Sequence, residues 1–146
     1  MNFDFSSLNF ETIDSNSNVY PDMYLNQNSV SFTKKVLEDL GYPAYVLCLL
    51  DPKAKVFAIK MCKSNEPKGF KFSKTKSEQK GVVTIYNKNL LEPIREIIKE
   101  ECKPGKRFKI RGFWVADAKT MCFDLNERVQ EEFRSGAITA NTENKE

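Results

Sequence analysis

The chain has 146 residues, enough for one domain with a single hydrophobic core and too few for two large ones. With 40% hydrophobic and 29% charged residues, the composition is typical of globular proteins and excludes disordered and membrane classes. The longest apolar run, residues 44–50, is far shorter than the roughly 20 residues that span a bilayer. No signal-peptide pattern opens the sequence, so we expect a cytoplasmic protein.

The formal net charge of +3 hides a strong segregation along the chain. Residues 1–28 carry four acidic side chains and no basic one, and residues 113–146 carry seven acidic and four basic ones. Residues 29–112 between them carry 19 basic and 9 acidic side chains. A basic middle with acidic ends is typical of a surface that faces a polyanion, or of ends that attract the middle.

The first half of the ordered sequence predicts a short strand, a helix and a β-hairpin. Residues 30–32 are β-like, and Ser31 or Thr33 can cap a helix over 34–40, whose Val36, Leu37 and Leu40 share one face. Gly41 ends that helix. Residues 45–50 are apolar on both faces, which favours a strand covered on both sides, and residues 56–62 return after a turn.

The second half repeats this order after a lysine-rich connection over residues 63–80. Residues 81–86 are strand-like, and Asn89 with Glu92 resembles a capping box for a helix that runs to about Cys102. Residues 106–115 and 120–125 form a second pair of strands, and the pattern NERVQEEFR predicts a final short helix.

We therefore expect an α+β fold in which two β-α-β-β pseudo-repeats, about 30–62 and 82–125, surround one core, followed by a C-terminal helix. Residues 1–28 are predicted to be a poorly ordered acidic N-terminal arm. Residues 29–135 then form a single α+β domain, and residues 136–146 a disordered tail.

Three stretches carry a family resemblance. The stretches VSFTKKVLEDLGY and VFAIKMC, and in the second half PIREIIKEECKPGKRFKI, resemble the AbrB-type family of swapped-hairpin transcription regulators and antitoxins. Two copies in one chain are similar to the tandem arrangement of MraZ-like proteins. Pro43-Ala44 and Lys106 depart from the turn residues of that family. The resemblance implies DNA binding and regulation of transcription.

The strand KRFKIRGFW contains the first candidate site. If its residues alternate, Phe108, Ile110 and Trp114 face one way, and the cations face the other. Cations on one face recur every ~7 Å, close to the spacing of phosphates along one nucleic-acid strand. The alternative is a solvated outer face. The candidate residues are Arg107, Lys109 and Arg111.

The lysine-rich connection is the second candidate. Its lysines are interspersed with Phe70 and Phe72, which combines charge that attracts phosphates with rings that can contact bases. A lysine-rich loop that only confers solubility is the alternative. Lysines at the start of the first helix oppose the helix dipole, which indicates another use such as phosphate binding. The candidate residues are Lys34, Lys35, Lys68, Lys71, Lys74, Lys76 and Lys80.

The expected function is that of a nucleic-acid-binding accessory or regulatory protein, with DNA favoured over RNA and a homodimer as the working form. The alternative is a protein-interaction module, such as an antitoxin-like or phage-borne adaptor that binds no nucleic acid. We expect no enzymatic activity, because neither a phosphate-binding glycine loop nor a dinucleotide fingerprint is present. No cofactor, metal ion or membrane partner is expected, and the four cysteines, which form no CxxC pair, are expected to be reduced.

Overall fold

The computed structural model describes Leu8 and residues 20–132 of the chain. Within these residues, two α-helices and nine β-strands are connected mostly by short turns. In chain order the elements are β1 (Asp22–Leu25), β2 (Val30–Phe32), α1 (Lys34–Leu40), β3 (Tyr45–Asp51), β4 (Val56–Met61), β5 (Phe70–Lys71), β6 (Val83–Ile85), α2 (Lys88–Ile98), β7 (Lys106–Val115), β8 (Thr120–Asp124) and β9 (Val129–Glu132).

The nine described strands form one antiparallel sheet that curls into a half-barrel. Neighbouring strands follow the order β5-β3-β4-β8-β7-β1-β2-β6, and β9 pairs with the first half of β7. Strand β7 joins the two halves of the sheet, because residues 108–111 pair with β1 and residues 112–115 pair with β8. Gly112 lies at this change of partner, where a Cβ atom would come within 2.8 Å of both the Pro21 carbonyl oxygen and the Phe123 ring.

The hydrophobic core lies between the inner face of the sheet and the two helices. The rings of Phe32, Phe57 and Phe123 meet there, with centroids 5.9 to 6.5 Å apart. The buried face of α1 consists of the predicted Val36, Leu37 and Leu40. The buried face of α2 consists of Leu90, Leu91, Ile94 and Ile98. The spacing of apolar residues along each helix therefore decides which face is buried.

The end of α1 agrees with the expectation, whereas both ends of α2 differ from it, since this helix ends at Ile98 and not at about Cys102. Gly41 ends α1 in the left-handed conformation, with a φ of 80°, as predicted. Helix α2 begins two residues earlier than expected, since Asn87 and not Asn89 is the capping residue. The Asn87 side chain accepts a hydrogen bond from the Asn89 backbone N–H at 2.8 Å.

The expected α+β class is wrong, because the described chain is mainly β. Its two helices have only 7 and 11 residues, against nine strands. The predicted C-terminal helix is instead a short 3-10 turn, Leu125–Glu127, followed by β9. Cross-strand pairing of β9 acids with β7 cations outweighs the helical pattern there, since Arg107 lies opposite Glu131 in the register. None of the helices in residues 20–132 is long and apolar enough to cross a membrane.

The two expected pseudo-repeats do not form two units around the core. The order strand, helix, strand, strand occurs in both places, but β2 pairs with β6 and β4 pairs with β8. Strands from the two segments therefore interleave in one sheet.

The expected boundaries also shift. Residues 22–25, assigned to the acidic arm, are strand β1 between β7 and β2, with Met23 and Leu25 buried. Residues 1–7 and 9–19 of the arm, residues 133–135 and the predicted tail, residues 136–146, lie outside the described residues.

Candidate nucleic-acid interface

The lysine-rich segment, residues 63–80, begins after β4, forms β5 at one edge of the sheet and leads to β6 at the other edge. Its strand β5 pairs with β3 through Phe70 and Lys71. Phe70 and Phe72 pack against the core, and the Phe72 ring meets Phe32 edge to face, with centroids 5.4 Å apart. Both rings are partly buried, which takes part of their apolar area away from a ligand, and the prediction that they contact bases stays a prediction.

Hydrogen bonds fix the backbone of the lysine-rich segment on the rest of the fold. The Phe72 N–H donates to the Ala44 carbonyl oxygen at 2.7 Å, and the Ser73 hydroxyl donates to the Pro43 carbonyl oxygen at 2.7 Å. Further along, the Lys74 N–H donates to the Gln79 side-chain oxygen at 2.8 Å and closes a turn. The segment thus presents its lysines from an ordered backbone.

The five candidate lysines of this segment all point into solvent. Each is exposed, and none has a carboxylate oxygen within 4.0 Å among residues 20–132. Their ammonium groups therefore keep their full attraction for an external anion. They are Lys68, Lys71, Lys74, Lys76 and Lys80.

Helix α1 lies beside the lysine-rich segment at both of its ends. Because Phe32 pairs with Val83, Lys34 lies at the same end of the β2–β6 pair as Lys80. At the other end of α1, Gly41 lines a shallow hollow together with Lys76. The structure therefore brings exposed Lys34 together with the segment.

Lys35 differs from Lys34, because it forms an ion pair within the helix. Its ammonium lies 2.9 Å from the Asp39 carboxylate one turn later. The hydrogen bond and the charge of Asp39 raise the pKa of Lys35. This ion pair offsets the unfavourable interaction of a cation with the dipole at the start of a helix. The position of Lys35 therefore gives no reason to expect a bound phosphate.

The three candidate cations of β7 face outward, as the alternation predicts, but carboxylates neutralise two of them. Phe108 and Ile110 are buried in the core, while the Arg107 guanidinium lies 2.7 Å from a Glu131 oxygen and the Arg111 guanidinium 2.7 Å from an Asp22 oxygen. Each of these pairs is charge-assisted, which makes the arginines poor free anchors for phosphate.

Aromatic rings complete the arginine sites on β7. The Arg107 guanidinium lies 3.6 Å from the centroid of the Tyr24 ring, and burial raises the pKa of the Tyr24 hydroxyl although Arg107 acts to lower it. The Arg111 guanidinium lies 3.9 Å from the centroid of the Tyr20 ring. Stacking adds to each ion pair and holds the guanidinium against the sheet. Trp114, expected to face the same way as Phe108 and Ile110, is 39% exposed near the end of the strand.

Lys109 is the third candidate cation of β7, and it is only partly exposed. In the register it lies between Tyr24 on β1 and Val129 on β9. No carboxylate oxygen lies within 4.0 Å of its ammonium in the described part of the chain. Among the described residues, Lys109 is therefore the one candidate cation of β7 without an ion pair. The predicted row of three available cations is not formed.

The two candidate stretches do not lie side by side on the sheet. Strands β3, β4 and β8 separate β5 from β7, which at ~4.8 Å per strand is about 19 Å along the sheet. The structure thus unites Lys34 with residues 68–80 and leaves β7 apart.

Sequence reasoning missed the partners of the β7 arginines. Asp22 was assigned to a disordered arm and Glu131 to a helix. One signal was available, since the acids at 131 and 132 have the spacing that pairs two adjacent cations, Lys106 and Arg107, across antiparallel strands.

Comparisons with protein-family profiles, with curated proteins and with solved structures find no significant match to the chain. The resemblance to AbrB-type regulators therefore stays a prediction. Among the described residues, no group of three or more His, Cys, Asp or Glu side chains is placed to hold a metal ion. The four cysteines are free and partly buried.

Proposed function

We propose that this protein binds nucleic acid through the lysine-rich segment and Lys34. The supporting observation is the set of five exposed lysines on an ordered segment, with no carboxylate within ion-pairing distance in residues 20–132. Each lysine that contacts a phosphate releases a condensed counterion, and this entropy gain drives binding.

The geometry favours contacts with the backbone of a duplex over reading of bases. Lysine is a flexible point charge that positions a protein on phosphates without selecting a sequence. Phe70 and Phe72, the rings of the segment that could stack on unpaired bases, are partly buried against the core. We therefore expect weak sequence preference and duplex DNA bound more tightly than single-stranded DNA or RNA.

Fluorescence anisotropy with a labelled duplex at about 50 mM salt tests this proposal. The variant Lys74→Gln/Lys76→Gln/Lys80→Gln removes three positive charges from the segment. We expect its affinity to fall at least about tenfold, because each lost phosphate contact removes one counterion-release step. No binding by the wild type to duplex or single-stranded DNA or RNA would refute the proposal.

A charge-matched control separates this site from the net charge of the protein. Lys53, Lys99 and Lys103 are exposed and lie outside the lysine-rich segment. Changing all three to glutamine alters the net charge equally, and we expect less than about a threefold loss of affinity from the remaining long-range effect. Equal losses in the two triple variants would argue against a defined site.

The alternative, a protein-interaction module without nucleic-acid binding, depends on the acidic ends of the chain. Asp22, the described acid of the N-terminal arm, pairs with Arg111 inside the protein. Residues 1–7 and 9–19 of the arm and the tail lie outside the described residues. A stoichiometric protein partner that resists nuclease treatment, together with no nucleic-acid binding, would support this alternative.

The proposed location is the cytoplasm, where thiols stay reduced. The four cysteines, at 48, 62, 102 and 122, are all free. A binding role without catalysis fits the absence of histidine from the sequence.

A further inference from the structure

Helix α1 carries an unpaired carboxylate in the middle of the proposed nucleic-acid interface. Glu38 is exposed, and no lysine or arginine nitrogen lies within 4.0 Å of its carboxylate oxygens among residues 20–132. Its neighbour Asp39 pairs with Lys35 at 2.9 Å, whereas Glu38 forms no such pair with Lys34, one turn before it. The carboxylate of Glu38 is therefore available to a ligand.

Positive charges lie on both sides of Glu38. At the start of α1, Lys34 lies at the same end of the β2–β6 pair as Lys80. At the end of α1, Glu38 lines the shallow hollow that Thr75 and Lys76 also line. Because Lys34 and Glu38 are four residues apart, they share one exposed face of the helix. A ligand that contacts the lysines at both ends of α1 thus lies over Glu38.

A carboxylate at this position limits what the ligand can present to it. It repels phosphate oxygens, so it suits a nucleic-acid site only where it accepts a hydrogen bond from a base. In the major groove of a duplex, cytosine presents the N4 amino group, which is a donor. Adenine presents the N7 acceptor beside its amino group, and guanine and thymine present acceptors. A carboxylate in the major groove therefore favours cytosine.

The length of α1 fits the width of this groove. Its 7 residues span about 10 Å along the helix axis, and the major groove is ~12 Å wide. With α1 across the groove, the lysines at its two ends face the phosphates of the two strands, and its exposed face meets the edges of the base pairs.

We propose that α1 lies across the major groove of duplex DNA and that Glu38 accepts a hydrogen bond from the N4 amino group of a cytosine. This inference rests on the proposed nucleic-acid binding and adds to it a preference at one base pair. The preference is modest, because the lysines around Glu38 contact phosphates of any sequence.

Selection from a library of duplexes with random sequence, followed by sequencing of the bound fraction, tests the contact. We expect the wild type to enrich cytosine about fivefold at one position. Glu38→Ala should lose this enrichment but still bind duplexes, because the lysines remain. Glu38→Gln should change the enriched base from cytosine to adenine, since a glutamine amide pairs with N6 and N7 of adenine.

Glu96→Ala is the matched control. Glu96 is an exposed glutamate of α2 and lies outside the lysine-rich segment, so its removal changes the net charge by the same amount. This variant should enrich cytosine as the wild type does. Circular dichroism of each variant shows that it is folded.

Two outcomes would overturn the proposal: duplex binding by the wild type without enrichment of cytosine, or equal enrichment by the wild type and Glu38→Ala. Tighter binding of Glu38→Ala to every sequence by the same factor would also count against it, since the acid would then only repel phosphate. Failure of the wild type to retain any duplex would instead contradict the proposed function, and this inference with it.

Discussion

At the scale of single residues, the partners of each cation decide whether its charge is available to a ligand. Arg107 and Arg111 have carboxylate oxygens at 2.7 Å, whereas Lys74 and Lys76 have none within 4.0 Å in the described chain. A guanidinium already held by a carboxylate and a ring must lose both contacts before it binds phosphate. Counting basic residues along a sequence therefore overestimates a polyanion surface.

Gly112 is a residue at which the fold depends on the absence of a side chain. Because a Cβ atom would meet the Pro21 backbone oxygen and the Phe123 ring at 2.8 Å, Gly112→Ala should lower the free energy of unfolding by about 1–3 kcal/mol. Urea unfolding measures the loss. Gly105→Ala is the control, since nothing lies within 4 Å of its Cβ position and only backbone strain at a φ of 77° opposes it. A smaller loss at 112 than at 105 would contradict the close approach.

The Cys48 thiol gives a prediction for alkaline pH. Burial, with a smaller contribution from Cys62, raises its pKa from 9.0 to about 12. The unfolded chain ionises this thiol above about pH 9 while the folded protein keeps it protonated, so its contribution to stability falls as pH rises from about 9 to about 12.

Alkylation by iodoacetamide at pH 10, followed by mass spectrometry of peptides, checks this state of Cys48. We expect Cys48 to be labelled much more slowly than Cys62, which lies just beyond the end of β4, and to react readily once urea unfolds the chain. Equal native rates at the two cysteines would show that Cys48 is not protected.

At the scale of elements, long-range pairing decides the two places where local pattern fails. Residues 129–132 have helical character on their own, yet they lie as β9 along β7, where Glu131 and Glu132 meet cations. Residues 22–25 have little pattern, but β1 fills the gap between β7 and β2 and buries Met23 and Leu25. Helix α1 could be predicted without knowledge of long-range pairing, because its apolar spacing and Gly41 are local signals.

The ion pairs between β7 and β9 test the placement of β9. A double-mutant cycle with Arg107→Ala and Glu131→Ala should give a coupling energy of about 0.5–1 kcal/mol. The neighbouring pair Lys106–Glu132 is longer, at 3.4 Å, and more exposed, so its cycle should give about 0.3 kcal/mol or less. A helix over these residues would place Glu131 away from Arg107, and no coupling would then be measured.

At the scale of the whole molecule, six of the nine described strands could be predicted, but β1, β5, β9 and the order of the strands in the sheet could not. The alternation in β7 correctly buries Phe108 and Ile110. The pairing of β2 with β6 and of β4 with β8 joins residues more than 50 positions apart, and periodicity carries no information on such partners. The same limit applies to the candidate site. Its lysines could be named from the sequence, but the separation of β7 from β5 depends on the strand order and could not be predicted.

The salt dependence of duplex binding tests the central claim, that the lysine-rich segment and not β7 contacts phosphate. The logarithm of the association constant should fall linearly with the logarithm of salt concentration, by about 0.9 per phosphate contact. Removing Lys74, Lys76 and Lys80 should make this slope shallower by about 2–3, whereas Lys109→Gln should leave it unchanged within about 0.3. An unchanged slope in the triple variant, with a shallower one in Lys109→Gln, would contradict the assignment and place the contact on β7.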